Sequence, residues 1–316
     1  MVGDGFGGRL WYKPSNYTVG SYSAYTICGD SCGANNQLYG WGLNQYGQLG
    51  NGTTIGSIRP VLVTGMTNVR YYSTGYVMGA IKNDNTAWVW GEGHPLSQSG
   101  FTSTPQQVLT DVKFLDAGLS VCSFVKNDGT VWSVGNNSSG SFGNGIRSNY
   151  NFPITVAEQM HNVNNAVRIA NSQNANAILL DDGRVMVAGT NSYGILGNNL
   201  ATPLALTPIF VNGLNNIVDI KANYLCIIAL DTAGEVYTWG YQHLGYIGDS
   251  TINNRSNVPI KLPVLRDIVA ISGCNDGYHS LALDKNHNCY AWGSNYFGQL
   301  GTGDTSRPLK PILVAT

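Results

Sequence analysis

A strand ending in Trp-Gly, or a degenerate version of it, returns six times along the chain. The copies are LYGWG (38–42), AWVWG (87–91), VWSVG (131–135), VMVAG (185–189), VYTWG (236–240) and CYAWG (289–293). Their glycines lie 44 to 54 residues apart. A period near 50 residues constrains the fold severely. It holds about four short strands, one sheet that cannot bury its faces alone and must stack on equal neighbours.

Two further elements keep the same rhythm. A Pro-x-x-apolar segment recurs as PVLV from Pro60, PQQV from Pro105, PITV from Pro153, PIFV from Pro208, PIKL from Pro259 and PILV from Pro311. A Gly-rich turn lies between the two: YGQLGNG (46–52), SGSFGNG (139–145), YGILGNN (193–199), LGYIGDS (244–250) and FGQLGTG (297–303). The second repeat departs from this with HPLSQSG (94–100). Paired glycines permit positive φ or close backbone approach, and the apolar residue between them is expected to plug the core between sheets. Gly50, Gly197 and Gly301 should therefore resist substitution. The segments NDNT (83–86), NDGT (127–130), DDGR (181–184), DTAGE (231–235) and DKNHN (284–288) precede the Trp-Gly strands and read as hairpin turns. They lack the acidic run and distant Glu of a calcium loop.

The last copy carries a family resemblance. GYHSLALDKNHNCYAWG (277–293) followed by WGSNYFGQLGTGDTSRPLKPILV (292–314) is similar to a repeat of the regulator of chromosome condensation family. The resemblance implies an all-β, closed β-propeller over nearly the whole chain. It is less specific about activity, because propellers of this family serve as exchange factors, enzyme inhibitors and interaction platforms. His279 falls in the family's Tyr-His-Ser position, which implies a structural hydrogen-bonding role.

Six blades follow from six Trp-Gly strands and six Pro-x-x-apolar segments, with seven as the alternative. Residues 12–42 are too short for an additional blade beside repeats of 44 to 54 residues. Only five residues follow Pro311. The expectation is that residues 310–314 join the blade containing 24–42, so that the terminal strands share one blade and no edge is left open. Cys28, Met78, Cys122, Asn176, Cys226 and His279 are aligned as one equivalent position. Residues 1–14 then form an N-terminal extension and 15–316 a single propeller domain. Trp11 and Tyr12 in that extension are a possible anchor to a larger assembly.

Composition excludes several functions. Charged residues are 11% of the chain and the net charge is −1, against roughly 25% charged in an average soluble domain. Glu occurs only at Glu92, Glu158 and Glu235, a poor supply for exposed helix faces. No basic cluster suited to phosphates is present, so nucleic acid is not an expected partner. No apolar run approaches membrane-spanning length, and the first residues do not read as a signal peptide. The six cysteines do not form a disulfide scaffold. Cys28 and Cys32 resemble metal ligands only loosely, and Cys274 could pair with Cys289 across neighbouring strands.

No nucleophile elbow, P-loop or dinucleotide fingerprint is present. Neither a catalytic group, a metal site nor a cofactor is expected. The five histidines are His94, His161, His243, His279 and His287, and His287 lies in a turn. A surface rich in Tyr, Asn, Ser and Gly offers aromatic platforms and adaptable hydrogen bonds. The rim following the Trp-Gly strands gathers Asn44, Tyr46, His94, Asn136, Tyr193, Tyr241 and His243 from different blades, and is the expected binding rim.

The reading is a non-enzymatic binding propeller recognising a protein or glycan partner. The low charge, the Tyr/Asn/Gly content and the sequons at Asn16, Asn51, Asn136, Asn137 and Asn254 suggest display outside a cell or on a virus or phage particle. The alternatives are an intracellular guanine-nucleotide exchange or protein-inhibitor propeller, and a glycan-active propeller enzyme.

Overall fold

Alternating apolar residues and turn chemistry at fixed intervals produce six four-stranded antiparallel sheets, and no helix occurs among the described residues. The computed structural model describes residues 17–19, 23–28, 35–92, 100–149, 154–199, 202–243, 245–273 and 277–314. The sheets are the blades of a six-bladed β-propeller: blade 1 (17–62), blade 2 (69–109), blade 3 (112–159), blade 4 (166–210), blade 5 (217–261) and blade 6 (268–313).

In every blade the Trp-Gly segment is the third strand, from Gln37–Gly42 in blade 1 to Cys289–Gly293 in blade 6. The Pro-x-x-apolar segment supplies the fourth, outer strand, as in Phe101–Leu109, Leu204–Phe210 and Arg255–Lys261. Proline is tolerated there because an outer strand has a free edge, and its missing N–H blunts that edge against stray pairing.

This order corrects the expected ring closure. Ile312 and Leu313 pair with Ala291 and Tyr290 as the fourth strand of blade 6. Blade 1 instead begins with its own inner strand, Tyr17–Val19, which pairs with Ala24, Tyr25 and Thr26. The terminal strands therefore lie in different blades. The error came from starting the repeat at proline: the Pro strand completes the blade before it, so every blade is contiguous in sequence. The alignment of inner positions shifts too. Opposite the Trp-Gly glycine stand Ser23, Val77, Val121, Ala175, Cys226 and His279. Met78, Cys122 and Asn176 sit one residue further along, and Cys28 faces Gln37.

Apolar side chains pack between blades. Each of the five junctions from 1–2 to 5–6 holds a buried cluster. The apolar residue of each G-x-L-G turn is the plug, with Leu49, Phe142, Leu196 and Ile247 fully buried and Leu300 nearly so. Tryptophans from the next blade lock onto these turns. The indole N–H of Trp90 donates to Gln48 O at 2.7 Å, and that of Trp239 to Ile195 O at 2.8 Å. The junction of blade 6 with blade 1 differs. Among the described residues it has no such cluster, Trp41 is only half-buried, and Phe297 and Ile58 are 94% and 97% exposed.

Cys289 is a free thiol, so it does not pair with Cys274, which lies outside the described residues. Cys28 is disulfide-bonded, which the sequence reading did not foresee.

Candidate functional site

At the last or next-to-last position of each third strand stands a glycine with positive φ, and the chain then turns onto one rim of the ring. Gly42, Gly91, Gly135, Gly189, Gly240 and Gly293 all take φ between 96° and 132°. Two residues beyond this glycine stands an amide side chain in five blades: Asn44, Asn137, Asn191, Gln242 and Asn295. Each accepts from the backbone N–H of the plug residue five positions on. Each also donates to the far end of its own turn, as Asn44 does to Thr53 O at 2.9 Å and Ile55 O at 3.1 Å.

Asn44 is 1% exposed, and its amide is engaged within its own turn. The recurring Gly-x-Asn spacing was legible in the sequence, but was read as a rim residue rather than as a brace. Asn44→Ala should lower stability by about 1–3 kcal/mol by leaving buried turn groups unpaired. Denaturant midpoints check this, and an unchanged midpoint would remove the brace.

The other expected residues separate into groups. Tyr46 is exposed at its turn, and its N–H donates to Gln48 Oε1. Asn136 is half-buried, with its side-chain oxygen accepting from Ser138 N at 2.8 Å. His94, Trp11 and Tyr12 lie outside the described residues. Tyr193, Tyr241 and His243 are brought together. Tyr193 of blade 4 meets Tyr241 of blade 5 with ring centroids 4.8 Å apart, and Tyr241 stacks on His243 at 5.7 Å.

These three continue into rings that the sequence reading missed. Tyr246 contacts both Tyr241 and His243, stacks on Tyr278 of blade 6 at 4.8 Å, and Tyr278 meets Tyr224 at 4.8 Å. Six rings from blades 4, 5 and 6 thus form one unbroken aromatic run along the rim. Tyr246 is buried, His243 exposed, and the others half-buried. Tyr224 and Tyr278 were not counted on the rim, because they precede the second strand and Tyr278 was read only as part of the Tyr-His-Ser position. Burial, with the Tyr224 phenol beside it, pushes Tyr278 up to about 12, so its hydroxyl stays protonated at neutral pH. Burial likewise raises Tyr246.

Among the described residues no three His, Cys, Asp or Glu side chains gather as a metal site would require. His279 sits half-buried in the second strand of blade 6, opposite Gly293. The turn containing His287 is a hairpin turn in which that residue takes φ 68°.

The architecture defines a six-bladed propeller of tandem repeats. At both ends of the described ring the chain matches repeats of the regulator of chromosome condensation family: the Regulator of chromosome condensation (RCC1) repeat model matches residues 35–77 and 286–316, and a second model of the same repeat matches 268–299. The chain is 25% identical to the ultraviolet-B receptor UVR8 of Arabidopsis thaliana over 87% of its own length and 64% of the receptor. Human WBSCR16 superposes with a TM-score of 0.81 at 19% identity, covering 98% of this chain and 83% of that one. Prp20p of Saccharomyces cerevisiae, whose structure was described with its binding to Gsp1p and histones, gives 0.81 at 18% identity over 95% of this chain and 76% of its own. The latter two likenesses concern the fold alone.

The curated relatives that the chain matches are intracellular, which conflicts with the expected placement outside a cell or on a virus or phage particle. The composition that suggested it has an internal cause. Asn36, Asn68, Asn85, Asn162, Asn199 and Asn216 take positive φ in turns, others brace turns, and glycine fills the remaining special positions. The repeat itself consumes these residue types.

Proposed function

We propose that the chain is an intracellular protein-binding propeller that engages its partner through the aromatic run on the Trp-Gly rim of blades 4 to 6. The run of six rings from Tyr193 to Tyr224 carries this reading. Tyrosines offer large, rigid contact area with a polar tip and little entropy to lose, and they are enriched at interface hot spots. The reading is binding rather than catalysis. Residues 1–14 are proposed as an extension outside the ring, with Trp11 and Tyr12 as its anchor.

The narrower second reading is guanine-nucleotide exchange or protein inhibition, supported by the similarity to intracellular propellers of this repeat type. The test is chemical-crosslinking capture with wild type, Tyr241→Ala and Tyr278→Ala, followed by affinity measurement on the purified partner. At least one substitution should weaken binding about tenfold or more, the scale of a hot-spot residue, with the far-UV spectrum and melting unchanged. Affinity unaffected by both would remove the rim from the function. A nucleotide-release assay on small GTPases carrying fluorescent GDP, and a glycan array, separate the narrower readings.

A further inference from the structure

Beside the aromatic run, between the blade 4 turn and the outer strand of blade 5, lies an open cavity of about 500 Å³. Asn191, Ser192, Asn199, Thr202, Arg255 and Asn257 line it. The two features are continuous, because Arg255 is the cross-strand partner of Tyr241, whose ring lies against Tyr193.

The lining has a definite chemical character. Among the described residues that line it, Arg255 is the only charged group and none is acidic. Each of the four ion pairs among the described residues lies elsewhere: Arg184–Asp182, Lys221–Asp219, Lys261–Glu235 and Lys285–Asp267. The Arg255 guanidinium is exposed, and its one hydrogen bond among the described residues runs from Nη1 to Ser192 O at 3.0 Å. Asn191 is committed to its turn, bonding Thr202 O and accepting from Leu196 N. The Asn199 N–H donates to Asn257 O at 3.0 Å, and among the described residues neither side-chain amide has a hydrogen-bond partner.

We infer that this cavity receives the carboxylate of an Asp or Glu side chain from a protein partner, with Arg255 as the ion-pairing group and the amides of Asn199 and Asn257 beside it. A planar guanidinium with free donors matches a carboxylate in geometry. One positive charge among neutral amides balances a monoanion, not the dianion of a phosphate. The aromatic run then takes the apolar side chains flanking that acid, which is the arrangement expected of acidic-motif recognition. The inference rests on the rim reading above and names the chemistry that the rim selects.

The probe is an acetylated, amidated Gly-Ser-Glu-Ser-Gly pentapeptide, titrated into the isotope-labelled full chain and followed by NMR. Its Gln counterpart, methyl phosphate and N-acetylneuraminic acid are titrated in parallel. The Glu peptide should shift the Arg255 side-chain and Tyr241 signals saturably, and the Gln peptide should bind at least about tenfold more weakly. Arg255→Gln should abolish the difference and R255K should retain part of it. Arg255 is exposed, so both variants should melt as wild type does. Equal response to the Glu and Gln peptides, or a response to methyl phosphate or the sugar acid alone, overturns the inference. If purified partner binds Arg255→Gln normally but loses Tyr241→Ala, the carboxylate site fails and the rim reading stands. If both variants bind normally, both fail.

Discussion

Trp239→Ala should cost about 3–5 kcal/mol of stability, the range for removing a buried tryptophan, and Trp41→Ala much less. Both residues lie near the end of the third strand of a blade, and each precedes the glycine of its Trp-Gly pair, Gly240 and Gly42. Trp239 is fully buried in the cluster between blades 4 and 5, and its indole N–H is bonded to Ile195 O at 2.8 Å. Trp41, its counterpart in blade 1, is half-buried and belongs to no apolar cluster among the described residues. Its removal should cost roughly 1–2 kcal/mol, because less apolar area leaves water on folding. Trp239→Phe isolates the hydrogen bond: it keeps a ring in place but leaves the Ile195 carbonyl unpaired, at about 1–2 kcal/mol. Urea titrations with matched slopes decide the matter. Equal losses for Trp239→Ala and Trp41→Ala would mean that the sixth junction is packed like the other five.

The contrast shows what the sequence made legible. Trp-Gly strands, G-x-L-G turns and hairpin signals are local, and each was read correctly because a turn's geometry is set within a few residues. The plug role of Leu49 and Leu196 follows from the same short range. Blade boundaries were less accessible. A cyclic repeat has no natural starting point, so PILV from Pro311 could be assigned to the blade before it or to the first blade. Only the pairing of Ile312 with Ala291 distinguishes the two. The site divided in the same way. Tyr193, Tyr241 and His243 follow from the repeat, since their rim is fixed by the strand direction. Tyr224 and Tyr278 do not, because nothing local says that segments 54 residues apart in sequence bring their rings to 4.8 Å. Asn44 was expected on the binding rim, yet burial and five turn hydrogen bonds give its amide to the fold. Residue type and rim do not reveal whether a side chain points into its own loop or outward.

Gly197→Ala should destabilise the ring more than Gly301→Ala, although the two glycines occupy the same place in the repeat. Both have positive φ, +62° and +69°, so an L side chain at either carries a backbone penalty of about 1–2 kcal/mol. Space separates them. A Cβ on Gly197 would lie 2.7 Å from Trp239 Nε1 and 3.0 Å from Val211 Cγ1, atoms fixed inside the blade 4–5 core. Gly50 has the same surroundings, with Trp90 Nε1 at 2.8 Å and Val63 Cγ1 at 2.7 Å. Among the described residues the atom nearest a Cβ on Gly301 is Val314 Cγ1 at 3.4 Å, an ordinary contact. Overpacking adds about 1–3 kcal/mol where the neighbours cannot yield, and a tryptophan held by a hydrogen bond yields little. The expected order is therefore Gly197→Ala and Gly50→Ala together, with a total loss of about 2–5 kcal/mol, and Gly301→Ala well behind at the backbone cost alone. Thermal and denaturant midpoints of the three variants give the comparison. If Gly301→Ala matches the others, then the turn's backbone, not the tryptophan of the following blade, is what demands glycine.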